Sequence, residues 1–127
     1  MRKRVLIADD NPYIRRAMRK VMESAGFDVC GEAENGALAV EQADQLQPDL
    51  ILLDLSMPVM NGIETAHALR RFVPETPIVV FSEYGDLLSE HEVRAEGISA
   101  LVSKTEPVSV LLDKARAALH STADRFL

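Results

Sequence analysis

The sequence predicts an α/β protein: a doubly wound parallel sheet of five strands with helices on both faces. Two observations lead to it. Short apolar runs alternate along the chain with longer stretches of helical periodicity, five times over. The runs "VLIA" (5–8), "LILLD" (50–54) and "PIVVFS" (77–82) also lack polar alternation, as expected of strands covered on both faces. Right-handed crossovers then wind the chain into a three-layer sandwich.

The elements follow in order. "VLIA" is a buried strand ending at Asp9 and Asp10. Asn11 suits a helix cap and Pro12 the first turn of "NPYIRRAMRKVMESAG", in which Ile14, Ala17, Met18, Val21, Met22 and Ala25 recur at helical spacing before Gly26 stops the helix. "FDVCGEAE" is a second strand, and Asn35-Gly36 reads as a turn. "ALAVEQADQLQ" is a helix with Val40, Ala43 and Leu46 inward, broken by Pro48. "LILLD" is the third strand; "NGIETAHALRRFV" is a helix burying Ile63, Ala66, Leu69 and Val73; "PIVVFS" is the fourth strand. A helix is expected over 86–96 and a fifth strand over "ISALVS" (98–103). "PVSVLLDKARAALH" (107–120) follows as an amphipathic helix presenting Val108, Leu111, Leu112, Ala115, Ala118 and Leu119.

Bulk properties narrow the function classes. With 127 residues the chain is the size of one domain, expected over 1–121 with 122–127 as a tail or the start of a linker. A net charge of −6 argues against a nucleic-acid-binding surface. The single cysteine, Cys30, excludes an internal disulfide and fits a reducing cytoplasm. No apolar stretch approaches the roughly 20 residues of a membrane span, and the run after Arg2, Lys3 and Arg4 is too short for a signal sequence.

The third strand poses the functional question. An apolar run, Leu50 to Leu53, ends on Asp54 without a polar transition. Desolvating a lone carboxylate costs several kcal/mol, so Asp54 must lie at a strand tip or be paired. Open parallel sheets carry their sites at the carboxyl ends of the strands. There stand Asp9 and Asp10 after the first strand, Asp54 on the third, Ser82 on the fourth and Lys104 just past the fifth. Two like charges ~4 Å apart repel by roughly 4 kcal/mol at an effective dielectric of about 20. Three acids therefore demand compensation, from Lys104 and from a hard divalent cation such as Mg²⁺. A carboxylate in such a cluster suits nucleophilic attack on a phosphoryl group, with Lys104 neutralising its oxygens and Ser82 donating a hydrogen bond.

"VLIADDN" (5–11), "PDLILLDLSMPVMNGIE" (48–64), "PIVVFS" (77–82) and "ALVSK" (100–104) resemble the receiver domain of two-component response regulators over nearly the whole chain. The resemblance implies a flavodoxin-like receiver fold with Asp54 as phosphoacceptor for a histidine kinase or phosphotransfer protein. It implies that Asp10 and Asp54 ligate Mg²⁺ by side chain, Asp9 through water and Ser56 by its backbone carbonyl, while Ser82 and Lys104 hold the phosphoryl oxygens. Met57-Pro58 and Asn61-Gly62 would shape the loop after the acceptor. Such a domain is not an enzyme in the usual sense: it promotes only its own phosphorylation and dephosphorylation. It would be a monomer when unmodified, with dimerisation on phosphorylation an open outcome. It would signal to a partner or to an output domain, such as a DNA-binding one, outside this chain.

Three positions depart from the family pattern. Glu83 follows the hydroxyl where a small residue is usual, Leu101 stands where Tyr or Phe is usual, and Thr105 replaces the proline after the lysine. Glu83 is expected to slow acceptance from anionic donors. These departures keep a phosphorylation-independent interaction module as the alternative. A flavodoxin-like cofactor protein would need a phosphate cradle after the first strand, where "DDNPY" repels phosphate. A haloacid-dehalogenase-like phosphatase would need a second Asp at position 56, which is Ser.

Overall fold

The computed structural model describes residues 2–55, 57, 60–82 and 97–124, with side chains to residue 120. Ser56, Pro58, Glu83 and the helix expected over 86–96 lie outside the described residues. The described elements are β1 (Arg4–Ala8), α1 (Pro12–Ser24), β2 (Asp28–Ala33), α2 (Gly36–Leu46), β3 (Leu50–Asp54), α3 (Gly62–Phe72), β4 (Ile78–Ser82), β5 (Ala100–Ser103) and α4 (Val108–Asp124). The strands form one parallel sheet in the order β2-β1-β3-β4-β5, the flavodoxin-like form of a doubly wound sheet.

Strand periodicity divides the core in two. On β1, β3 and β4, Leu6, Ala8, Ile51, Leu53, Ile78 and Val80 face a cluster completed by α2 and α3 through Ala39, Ala43, Ala66 and Leu69. The intervening Val5, Ile7, Leu50, Leu52, Val79 and Phe81 face the opposite cluster with Met22 of α1 and Leu111, Ala115 and Ala118 of α4. Burial on both faces explains the unbroken apolar runs. No helix among the described residues is long and apolar enough to cross a membrane.

Several local readings change. Asn35-Gly36 is not a free-standing turn: Asn35 caps α2, its Oδ1 accepting the Leu38 N–H at 2.9 Å, and Gly36 is the first helical residue. The same dipeptide signals both outcomes, because Asn is as good a cap as a turn residue. The inward side of α2 is centred on Ala39 and Ala43, with Val40 and Leu46 only half-buried. Ala17 and Val108 are not core residues either. Ala17 is exposed and Val108 is 45% exposed, because α1 and α4 part beside β5 and leave a groove of about 230 Å³ that both residues line.

Chain reversals have simple causes. Gly26 ends α1 at φ +92°, a left-handed conformation that L side chains rarely adopt. Residues β1 and β2 pair with a one-residue slip: Val5 faces Val29, and Leu6 faces Gly31. Cys30 occupies this bulge, and its thiol donates to the Val5 carbonyl at 3.4 Å.

Candidate functional site

Asp54 closes β3 and is only 4% exposed; Asp9, just past β1, is fully buried. Two buried carboxylates on adjacent strands are unfavourable without compensation. Lys104 provides it. Its Nζ donates to Asp9 Oδ2 at 3.0 Å and lies 3.3 Å from Asp54 Oδ1. The lysine is delivered by the turn after β5, where its backbone N–H donates to the Ser82 carbonyl at 2.7 Å. The Ser103 N–H donates to Glu106 and the Thr105 N–H to the Ser103 hydroxyl, which closes that turn around the lysine. Its Nζ also lies over the Phe81 ring, 5.1 Å from the ring centroid.

Burial pushes the Lys104 ammonium towards its neutral form. The hydrogen bond to Asp9 and the charges of Asp9 and Asp54 outweigh that, and the pKa stands above the ordinary lysine value. The lysine is therefore charged throughout the physiological range.

Asp10 completes the acid group from the exposed side. Asp9, Asp10 and Asp54 each offer a carboxylate oxygen, and these oxygens lie within 4.8 Å of one another. Against one ammonium the three carboxylates keep an excess of negative charge. The donor set is all oxygen, partly buried and open at Asp10, which fits a hard divalent cation that retains waters.

Local structure explains why the acids stay in place. Asn11 caps α1 through its side chain, accepting from Tyr13 at 2.9 Å and Ile14 at 3.3 Å. Its own N–H donates to Asp9 Oδ1 at 2.8 Å. Across the sheet, Gly62 opens α3 directly against the end of β3. Its N–H donates to the Leu55 carbonyl at 2.8 Å. A Cβ at Gly62 would stand 2.6 Å from Leu55 Cα and 3.0 Å from the Asp54 carbonyl oxygen. Only glycine allows that approach. Asn61 and Glu64 form a reciprocal capping box at the same helix start.

Thus Asp9, Asp10, Asp54 and Lys104 form one constellation. Ser82 is buried at the end of β4, one residue beyond Phe81, the register partner of Asp54. Ser56 lies outside the described residues. Sequence reading missed Arg15, whose guanidinium donates to the Asp9 backbone carbonyl at 2.7 Å, and Phe81 beneath the lysine ammonium. The signal for Arg15 was present: an arginine in the first turns of the helix that follows the acid pair.

The fold and site together define an α/β domain whose parallel sheet carries an acid group and a lysine at the carboxyl edge of its strands. The comparisons specify which one. Residues 5–116 match the family described as response regulator receiver domain. The chain is 41% identical over 85 residues to chemotaxis protein CheY of Thermotoga maritima, a match covering 67% of this chain and 71% of that one. It is 45% identical over 89 residues to the nitrate/nitrite response regulator protein NarL of Escherichia coli K12, covering 69% of this chain but only 39% of that one. The crystal structure of the response regulator domain of Thermotoga maritima CheB superposes with a TM-score of 0.86 at 28% identity, covering 94% of this chain and 98% of that one. The chain belongs to the response regulator receiver domain family.

Proposed function

We propose that this receiver domain accepts a phosphoryl group on Asp54 from a sensor histidine kinase or phosphotransfer protein, with Mg²⁺ as cofactor. The observation that carries the reading is the ammonium of Lys104 held between buried Asp9 and Asp54, with Asp10 completing the acid group. An Asp54 carboxylate oxygen attacks the phosphorus. The P–N bond to the donor imidazole breaks, the electron pair leaves with that nitrogen, and an acyl phosphate remains on Asp54. Lys104 and the Ser82 hydroxyl bind the phosphoryl oxygens. As the family resemblance implies, Asp10 and Asp54 would hold the cation by side chain, Asp9 would act through water, and Ser56 would add its backbone carbonyl. The cation's contribution is to neutralise charge on the transferring oxygens.

The domain is not an enzyme toward other substrates; it promotes only its own phosphorylation and dephosphorylation. It acts in the cytoplasm as a monomer in its unmodified form. Movement of Ser82 and Lys104 toward the phosphoryl group biases a two-state equilibrium that a partner or output domain reads. NarL, of which the match spans 39%, and CheB illustrate the kinds of proteins in which such domains are found.

The test is incubation with acetyl phosphate and Mg²⁺, followed by intact-mass measurement. Wild type should gain one labile phosphoryl adduct, which should not form when Mg²⁺ is chelated before the donor is added. An adduct that persists in Asp54→Asn would falsify the assignment. A wild type that never labels, and does not bind beryllofluoride, would favour the phosphorylation-independent module.

A further inference from the structure

We infer that Arg15 is a positioning residue for the acid pair, setting the direction of Asp10 by clamping the peptide that joins it to Asp9; its consequence for Mg²⁺ rests on the function proposed above. The Arg15 Nη1 donates to the Asp9 carbonyl oxygen at 2.7 Å. That carbonyl shares a rigid plane with the Asp10 N–H, so fixing the oxygen fixes the orientation from which Asp10 departs. The preceding peptide is held as well, since the Asp9 N–H donates to the Ala33 carbonyl at 3.0 Å. Asp9 needs no further help, being buried with both carboxylate oxygens hydrogen-bonded. Asp10 is exposed, so its aim depends on the backbone beneath it.

Arg15 is itself held. Its side chain is 17% exposed, and its Nε lies 3.4 Å from Glu32 Oε1. The other oxygen of Glu32 accepts from Arg19 Nε at 2.6 Å, one helical turn further along α1. Glu32 sits in β2, paired in register with Ile7 of β1. The carboxylate thus aims the guanidinium from the neighbouring strand while the helix carries it. A planar guanidinium can satisfy Glu32 and the Asp9 carbonyl together, as the ammonium of a lysine cannot do in the same geometry.

Two physical roles predict opposite signs. If Arg15 were only a nearby positive charge, removing it would deepen the negative potential at the acids and tighten cation binding. If it positions Asp10, removing it loosens the acid and weakens binding.

The experiment uses the purified chain and two readouts. In metal-free protein, amide hydrogen exchange reports the clamp directly. Arg15→Gln should speed exchange at Asn11, whose N–H is bonded to Asp9, by about fivefold relative to Leu6 and Ile7 in the sheet. In Mg²⁺ titrations, Arg15→Gln should weaken binding by about tenfold, with Arg15→Lys recovering part of the loss because it can still donate to the carbonyl. Should Arg15→Gln fail to fold, Glu32→Gln, which releases the guanidinium from its anchor, is read the same way. Unchanged Asn11 exchange, or tighter Mg²⁺ binding in Arg15→Gln, overturns the inference. A wild type that ignores Mg²⁺ refutes the proposed function instead, and the exchange measurement still decides the clamp.

Discussion

The backbone N–H of Lys104 donates to the carbonyl of Ser82 at 2.7 Å. The two residues proposed to grip the phosphoryl oxygens are thus joined through the main chain at the ends of β4 and β5. A shift of one is transmitted to the other without any side chain between them. The receiver reading therefore has a short mechanical path from the site to the β5–α4 turn, where Ser103, Thr105 and Glu106 close around the lysine.

Asp10 is exposed beside two buried acids, and its replacement should separate metal binding from stability. Asp10→Asn removes one negative charge from the group. Mg²⁺ affinity should fall on the order of tenfold, since a direct carboxylate is lost. Thermal stability without metal should rise, because repulsion is relieved. Equal affinity in the two proteins, by Mg²⁺ titration, would contradict Asp10 as a ligand.

Lys104 makes stability fall in alkali. Its folded-state pKa is raised above the ordinary value near 10.5 by Asp9 and Asp54, against the opposing effect of burial. The lysine's contribution is then complete below 10.5 and is lost as pH climbs through the raised value. Denaturant melts of metal-free wild type and Lys104→Met should differ most at neutral pH and converge above pH 10.5. A gap that widens in alkali would show the sign to be wrong.

Gly62→Ala should damage fold and site together. Its Cβ would be 2.6 Å from Leu55 Cα, a backbone atom that cannot swing aside. Overpacking of this kind costs about 2 kcal/mol, to be read in urea melts. Because the same Cβ crowds the Asp54 carbonyl, acetyl phosphate labelling should also slow. Full stability with a wild-type labelling rate would mean that α3 does not brace β3.

Cys30 should be a poor nucleophile at neutral pH. Burial raises its thiol pKa, only partly offset by the charge of Arg4, and its hydrogen donates to the Val5 carbonyl. Alkylation by iodoacetamide in the folded chain should run about tenfold slower than for a small free thiol at pH 7. Comparable rates would place Cys30 in a more open setting than the bulge between β1 and β2.

Much of this protein was determined by local pattern. The strands at 50–54 and 78–82 have both faces buried, so apolar runs alone marked them; β3 begins and ends where the pattern placed it. Gly26 and Asn11 announced the limits of α1 by their backbone preferences, and Asp54 stood out because a charge ended an apolar run. Strand tips in a parallel sheet share one edge, so the joint placement of Asp9, Asp10, Asp54, Ser82 and Lys104 also followed from order along the chain. What local pattern left open depends on how elements meet. Helical periodicity names one side of α1 and α4 without saying how far a neighbour covers it, so Ala17 and Val108 fell on a groove where a core was expected. Asn35-Gly36 suits a turn and a cap equally, and the packing of α2 on the sheet chose the cap. Whether Lys104 pairs with one acid or with two is a matter of a few tenths of an ångström across strands far apart in sequence. The clamp of Arg15 on Asp9, steered by Glu32 from another strand, exists only once three elements have come together.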